Sequence, residues 1–236
     1  MRSRRQWVCI VALVLCLFPQ RIVGRNQAPS QAPNVPREST KLIIENDRAI
    51  VWDVTWTSGT PSPMEQHQYD LVSVCLAGGA IKTTLPDGTS SVAIRRSGDV
   101  VFDQKGGRYS EEGVSRENSL RSIVINLRDH PLQPLRNTSG FPDAFPRPGV
   151  KKVLENNRVI VWDYAWIPGN PTPMHFHDKD TVVVYMDDGT LKSTKPSGES
   201  VVNEVSFGLT KFNARDRVHT EELVRGRARA IIVELK

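Results

Sequence analysis

Two histidines two residues apart, His175 and His177, stand in the stretch GNPTPMHFHDKD, between a Gly/Pro loop and the apolar run TVVVYM. Successive side chains of an extended strand point to opposite faces, so both imidazoles face the same way. Neutral imidazole binds Zn, Fe, Cu and Ni, and two on one strand need a third donor from elsewhere to fix an ion. Of the remaining histidines, His67 lies far upstream and His130 in a Pro-rich stretch, which leaves His219 in FNARDRVHTEEL as the supplier. The expected centre is a divalent metal ion on His175, His177 and His219, with Fe, Zn, Mn, Ni or Cu all compatible with such donors. Glu221 follows His219 by two residues and shares its face if the strand runs on. It is the candidate catalytic residue, able to orient a ligand or move a proton, against the plainer reading of a salt bridge at a barrel rim.

The elements that must position these residues are visible because the chain repeats itself. Residues 45–112 align with 155–222 at a constant offset of 110, and 27 of those 68 pairs are identical. ENDRAIVWDVTW answers ENNRVIVWDYAW, and RSIVINLR answers RAIIVELK after a two-residue deletion. Each copy is rich in β-branched and aromatic runs punctuated by turns such as PDGT, PSGE and DDGT, which predicts short strands of a sandwich or barrel. No segment carries a capped 3.6-residue apolar period, so the class expected is all-β. Between the copies, residues 129–149 are Pro-rich and polar and are expected to run extended over the surface as a linker.

Comparison of the copies divides the site residues. Where the second copy has His175, His177 and His219, the first has Glu65, His67 and Tyr109, a set read as a degenerate metal site. Asp180 pairs with Asp70, and Glu221 and Glu222 pair with Glu111 and Glu112. Acids kept in a copy that lacks the triad read as structural, so Asp180 is not expected to be a ligand. Trp162 and Trp166, matched by Trp52 and Trp56, read as core.

These residues resemble the cupin superfamily, and the duplication resembles a bicupin. Gly169 stands six before His175, His177 follows, and Gly189 closes the first motif; His219 answers the second. The resemblance covers roughly residues 45–127 and 155–236. It departs at the glutamate of the first motif, whose place falls on Thr181 or Val182. It implies two tandem cupin-type double-stranded β-helix barrels joined by the Pro-rich linker. The first repeat spans 40–128, the linker 129–149 and the second, metal-bearing repeat 150–236. The function implied is that of a metal-binding bicupin acting on a small-molecule ligand or substrate. A metal-dependent oxygenase is the expected reaction class; the alternative is a non-catalytic ligand-binding or sensing barrel.

Charge and the amino terminus bound the rest. The net charge of +5 is carried by Arg2, Arg4, Arg5, Arg21 and Arg25, and removing these five leaves 5 − 5 = 0. A neutral body lacks the electrostatic footprint of a nucleic-acid binder. MRSRRQ followed by the apolar WVCIVALVLCLF and a polar stretch has the layout of a signal peptide over residues 1–28. The expectation is a secreted or periplasmic protein with no membrane attachment after signal removal. Cleavage would remove Cys9 and Cys16 and leave Cys75 alone, so no internal disulfide is expected.

Overall fold

The computed structural model describes residues 39–115, 119–130, 132 and 135–236. The expected signal segment lies outside the described residues. Among the described residues there is no α-helix, and hence no helix long and apolar enough to cross a membrane.

Each repeat folds into two antiparallel sheets. In the first, β1 (Thr40–Glu45), β2 (Ala49–Trp56), β4 (Asp70–Ala77), β7 (Val100–Asp103) and β9 (Leu120–Leu127) form a five-stranded sheet ordered β1-β2-β9-β4-β7. Facing it is a four-stranded sheet ordered β3-β8-β5-β6, from β3 (Glu65–Gln66), β5 (Gly79–Thr84), β6 (Ser90–Arg95) and β8 (Arg108–Gly113). The second repeat reproduces both. Its larger sheet comprises β10 (Lys151–Glu155), β11 (Val159–Ala165), β13 (Asp180–Tyr185), β16 (Thr210–Asn213) and β18 (Arg229–Leu235), ordered β10-β11-β18-β13-β16. Its smaller sheet is ordered β12-β17-β14-β15, from β12 (His175–His177), β14 (Gly189–Thr194), β15 (Ser200–Val205) and β17 (Arg217–Gly226).

The apolar runs that marked the strands follow from burial on both faces of the larger sheets. Along β2, Ile50, Trp52, Val54 and Trp56 point into the first barrel, while Ala49 and Val51 point the other way. On that outer face they meet Val159, Val161, Val182, Ile231 and Val233 of the second repeat, so the two five-stranded sheets pack back to back. A strand buried on both sides has no polar face to alternate, hence AIVWDVTW and TVVVYM. Each fully buried aliphatic side chain contributes about 1.5–3 kcal/mol of burial free energy, so this layer is a main source of cohesion between the repeats.

Around the apolar layer sits a reciprocal pair of ion pairs. Arg48 Nε lies 3.0 Å from Asp180 Oδ2, and Arg158 Nη1 lies 3.0 Å from Asp70 Oδ2. The guanidinium of Arg48 also donates to the carbonyls of Leu235 and Lys236, and that of Arg158 to Leu127 and Arg128. The second oxygen of each aspartate accepts a backbone N–H within its own repeat, Lys105 for Asp70 and Arg215 for Asp180, at 2.9 and 2.8 Å. Each aspartate therefore fastens its own barrel to the arginine of the other. This is why both copies keep it.

The stretch between the repeats does more than run over the surface. Phe176 N donates to Pro142 O at 2.8 Å, Ala144 N donates to Phe176 O at 2.7 Å, and Asp143 bridges Phe176 in parallel. These bonds cover the edge of β12 that β17 leaves free. Ala144 is buried, and Phe145 stacks on Trp162 with ring centroids 5.2 Å apart. Part of the segment turns in from the surface because it has a strand edge to satisfy, and its Phe and Ala have a core to enter.

Candidate metal centre

β12 is three residues long and pairs antiparallel with β17, placing His175 opposite His219 and His177 opposite Arg217. Alternation sends His175 and His177 into the barrel and Phe176 outward beneath the inter-repeat segment. The three expected ligands converge. His175 Nε2 lies 3.2 Å from His177 Nε2, which lies 3.0 Å from His219 Nε2. Among the described residues they form the group of histidine, cysteine or acidic side chains close enough to hold a metal, with donor atoms within 4.8 Å of one another.

The donor set fits a divalent ion. His175 Nδ1 lies 2.7 Å from Pro173 O, an acceptor only, so Nδ1 carries the proton and Nε2 presents a lone pair. His219 Nδ1 lies 3.0 Å from Ser193 Oγ, which can accept its proton and turn Nε2 inward in the same way. Metal–nitrogen bonds of about 2.0–2.1 Å put neighbouring donors about 2.8–3.4 Å apart for angles from about 90° to 109°. The spacings from His177 Nε2 to His175 and to His219 fall in that range. Burial favours the neutral ligand form: it is the main cause holding His175 and His219 at about 4 and pushing His177 further down, with Arg147 or Arg217 adding to it.

Two arginines and one acid complete the pocket, of about 340 Å³, and sequence reasoning missed the arginines. Arg147 arrives from the inter-repeat segment, its side chain 7% exposed and its guanidinium 4.1 Å from the centre of the Tyr164 ring. Its Nη1 lies 3.3 Å from His175 Nε2, and its Nη2 3.9 Å from Glu221 Oε2. Arg217 lines the same pocket and donates to Ala214 O. Burial pulls both guanidiniums below their ordinary range, with Glu221 opposing. Two cations against one carboxylate give the side chains around the pocket a net positive charge.

Glu221 is in the pocket, as expected for a candidate catalytic residue, but it is also built into the frame. Its Oε2 accepts the Trp166 indole N–H at 3.1 Å, and its backbone N–H donates to Thr172 Oγ1 at 2.8 Å. Glu111 repeats this with Trp56 and Ser62. What the copies share is a Trp–Glu hydrogen bond, not a rim salt bridge. Asp180 lies outside the histidine group, bound to Arg48 and Arg215. At the place of the missing motif glutamate, Thr181 lines the pocket, and its buried Oγ1 has no hydrogen-bond partner.

The first copy does not assemble an equivalent centre. β3 pairs with β8 in the matching register, Glu65 opposite Tyr109, but Glu65 is exposed. Tyr109 Oη lies 3.4 Å from His67 Nδ1, the two rings 4.3 Å apart.

No family model matches the chain. The β-alanine degradation protein BauB of Pseudomonas aeruginosa is 41% identical over 61 residues, a match spanning 26% of this chain and 60% of that protein. A cupin 2 conserved barrel domain protein from Leptotrichia buccalis superposes with a TM-score of 0.55 at 14% identity, over 84% of this chain and 88% of that one. Oxalate decarboxylase from Lactobacillus farciminis, in a formate complex, superposes with a TM-score of 0.59 at 11% identity, over 84% of each chain. At such identities the likeness is one of fold: two cupin-type barrels in tandem.

Proposed function

For a chain with the bicupin fold and this histidine centre, we propose a metal-dependent enzyme that acts on a small organic acid in the second barrel. The observation that carries it is the convergence of three Nε2 lone pairs beside Arg147 and Arg217. A bound divalent ion would supply Lewis acidity and, if redox-active, the electron transfer an oxygenase needs. The chain's own residues do the rest. Arg147 and Arg217 balance a carboxylate, and Arg147 orients it from the side of His175. Glu221, held by Trp166, is placed to take or return a proton at the substrate. Phe145, stacked on Trp162, stands edge-on to His177 and lines the pocket. The names of the Pseudomonas relative and of oxalate decarboxylase both refer to small carboxylic acids, which agrees with this substrate class.

Oxygenation is the reaction class we favour, and export the location. Oxygen uptake by iron-loaded protein against a panel of small carboxylic acids tests the first. Arg147→Ala should raise KM at least about tenfold, the size of one lost charge-assisted hydrogen bond. A purified protein with no bound metal, which still binds the acids, would overturn the enzyme reading. It would favour a non-catalytic binding barrel, a reading supported by Thr181 standing where the motif has a glutamate. Amino-terminal analysis of extracellular or periplasmic protein should give a start between about residues 20 and 35. A cytosolic protein that begins at Met1 would refute export.

A further inference from the structure

The first barrel encloses a cavity of about 570 Å³, counted to its open mouth, although it lacks the triad. Its origin can be read position by position against the second barrel. Val183, Tyr185 and Val205 pack in the core of the second barrel, with Leu209 against them. At the same offset the first barrel has Ser73, Cys75, Arg95 and Asp99, all lining the cavity. The loss of a tyrosine ring opens the space, and the other changes make its wall polar. Decay of a disused metal site would not require any of them, since packing residues keep a barrel stable whatever it binds. Cys75 in place of a core tyrosine and the half-buried Arg95 in place of a core valine each cost stability, whereas Asp99 is exposed; the first two changes around one space point to use.

The chemistry of the wall selects the ligand. Among the described residues, Asp99, Asp103 and Glu111 face the cavity against Arg95 as the one arginine or lysine there. Asp103 stands where the second copy has Asn213, so the first copy has an acid at a place where the fold accepts an amide. Burial is the main cause pushing Glu111 up to about 7, and the Asp103 carboxylate adds to it; burial raises Asp103 as well. Arg95 pulls both acids the other way, but burial prevails, so one guanidinium does not fully offset them. A metal ion does not suit them, because no group of three metal-ligating side chains converges here among the described residues. The rest of the lining includes hydrocarbon and aromatic side chains, Leu71, Ile81, Leu120 and Trp56, the last hydrogen-bonded to Glu111. There, His67 Nε2 is buried without a hydrogen-bond partner, a further polar atom left for a ligand.

We propose that the first barrel binds a small organic ammonium ion without a metal, its ammonium on Glu111 and Asp103 and its hydrocarbon part against Trp56, Leu71 and Ile81. An ammonium donates up to three hydrogen bonds, which two carboxylates and a neutral imidazole can accept. The site is independent of the histidine centre in the second barrel.

Calorimetric titration of the full, metal-loaded chain with n-butylammonium chloride tests this, with 1-butanol and sodium butyrate as the neutral and anionic counterparts. Butylammonium should bind saturably and at least about tenfold more tightly than either, as one charge-assisted hydrogen bond is worth that much. Asp103→Asn, which installs the residue of the second copy, should weaken it by a similar factor, as should Glu111→Gln. His175→Ala should leave it unchanged. If Glu111→Gln does not fold, Asp103→Asn carries the test alone. Absence of saturable binding in the millimolar range, equal binding of butanol or butyrate, or indifference to Asp103→Asn would each overturn the proposal. So would loss of binding in His175→Ala.

Discussion

Asp180 separates a structural reading of the site's neighbourhood from a ligand reading, and its replacement by alanine has a calculable cost. Its side chain is 7% exposed and that of its partner Arg48 is 10% exposed. Alanine removes the acceptor for Arg215 N and leaves the Arg48 guanidinium without its counter-charge. Breaking a buried pair from one side costs about 3–5 kcal/mol. Arg48 keeps its bonds to His130, Leu235 and Lys236 at the chain surface, which offsets part of this, so the expected loss is about 2–4 kcal/mol. For a chain of this length that is a fall in Tm of roughly 5–12 °C. Asp70→Ala should cost somewhat less, because Arg158 is more exposed and retains Asp129. Urea unfolding of the metal-free protein reads the stability, and competition with a chromogenic chelator reads metal affinity. Both variants should unfold early, and both should hold the metal within about threefold of wild type, since neither carboxylate touches a histidine of the triad. A loss of metal affinity in Asp180→Ala as large as that of a histidine variant, with stability unchanged, would refute the reasoning.

Single changes of His175, His177 or His219 to alanine should each lower metal affinity at least about tenfold, measured by the same competition. The metal-free protein should lose stability as pH falls from about 6.5 toward 4: the folded histidines stay neutral while the unfolded ones take up protons, and the triple-alanine variant should lack this component in urea titrations across that range. Wild type should bind one strongly held ion per chain. Glu65→His with Tyr109→His should add a second, weaker one in a metal titration, because β3 and β8 keep the register of β12 and β17.

The sequence made the triad legible because a strand has only two faces and the repeat supplied a control. Identical spacing with different side chains showed which positions carry fold and which carry chemistry. Asp180 came out as structural for this reason, although its partner Arg48, 132 residues away (180 − 48), could not be read from a pattern. Arg147 was hidden by the averaging that composition performs. A stretch rich in proline and polar residues reads as a linker, and the few residues that turn inward, Ala144, Phe145 and Arg147, are lost among those that do not. A signal did exist: at the offset of 110, Pro36–Arg37 answers Pro146–Arg147, so the repeat begins before residue 45. The first-barrel cavity was illegible for a different reason. Cys75 in LVSVCLAG looks like a small core residue, and it is one; only its pairing with Tyr185 shows that a ring is missing.

The Trp–Glu pair sharpens what the duplication has done. Trp56–Glu111 and Trp166–Glu221 are the same hydrogen bond at 3.2 and 3.1 Å, set by the same backbone bonds to Ser62 and Thr172. Geometry alone therefore cannot assign the two acids different roles. Their surroundings can. Glu221 shares its pocket with Arg147 and Arg217, whereas Glu111 faces Asp103, which disfavours its charged form. Under the two proposals, one barrel offers two arginines around a set of lone pairs to an anion beside a metal, and the other offers three acids against Arg95 to a cation without one. Two copies of one frame thus differ in the balance of charge inside them, and a handful of substituted positions set that balance at a cost in packing.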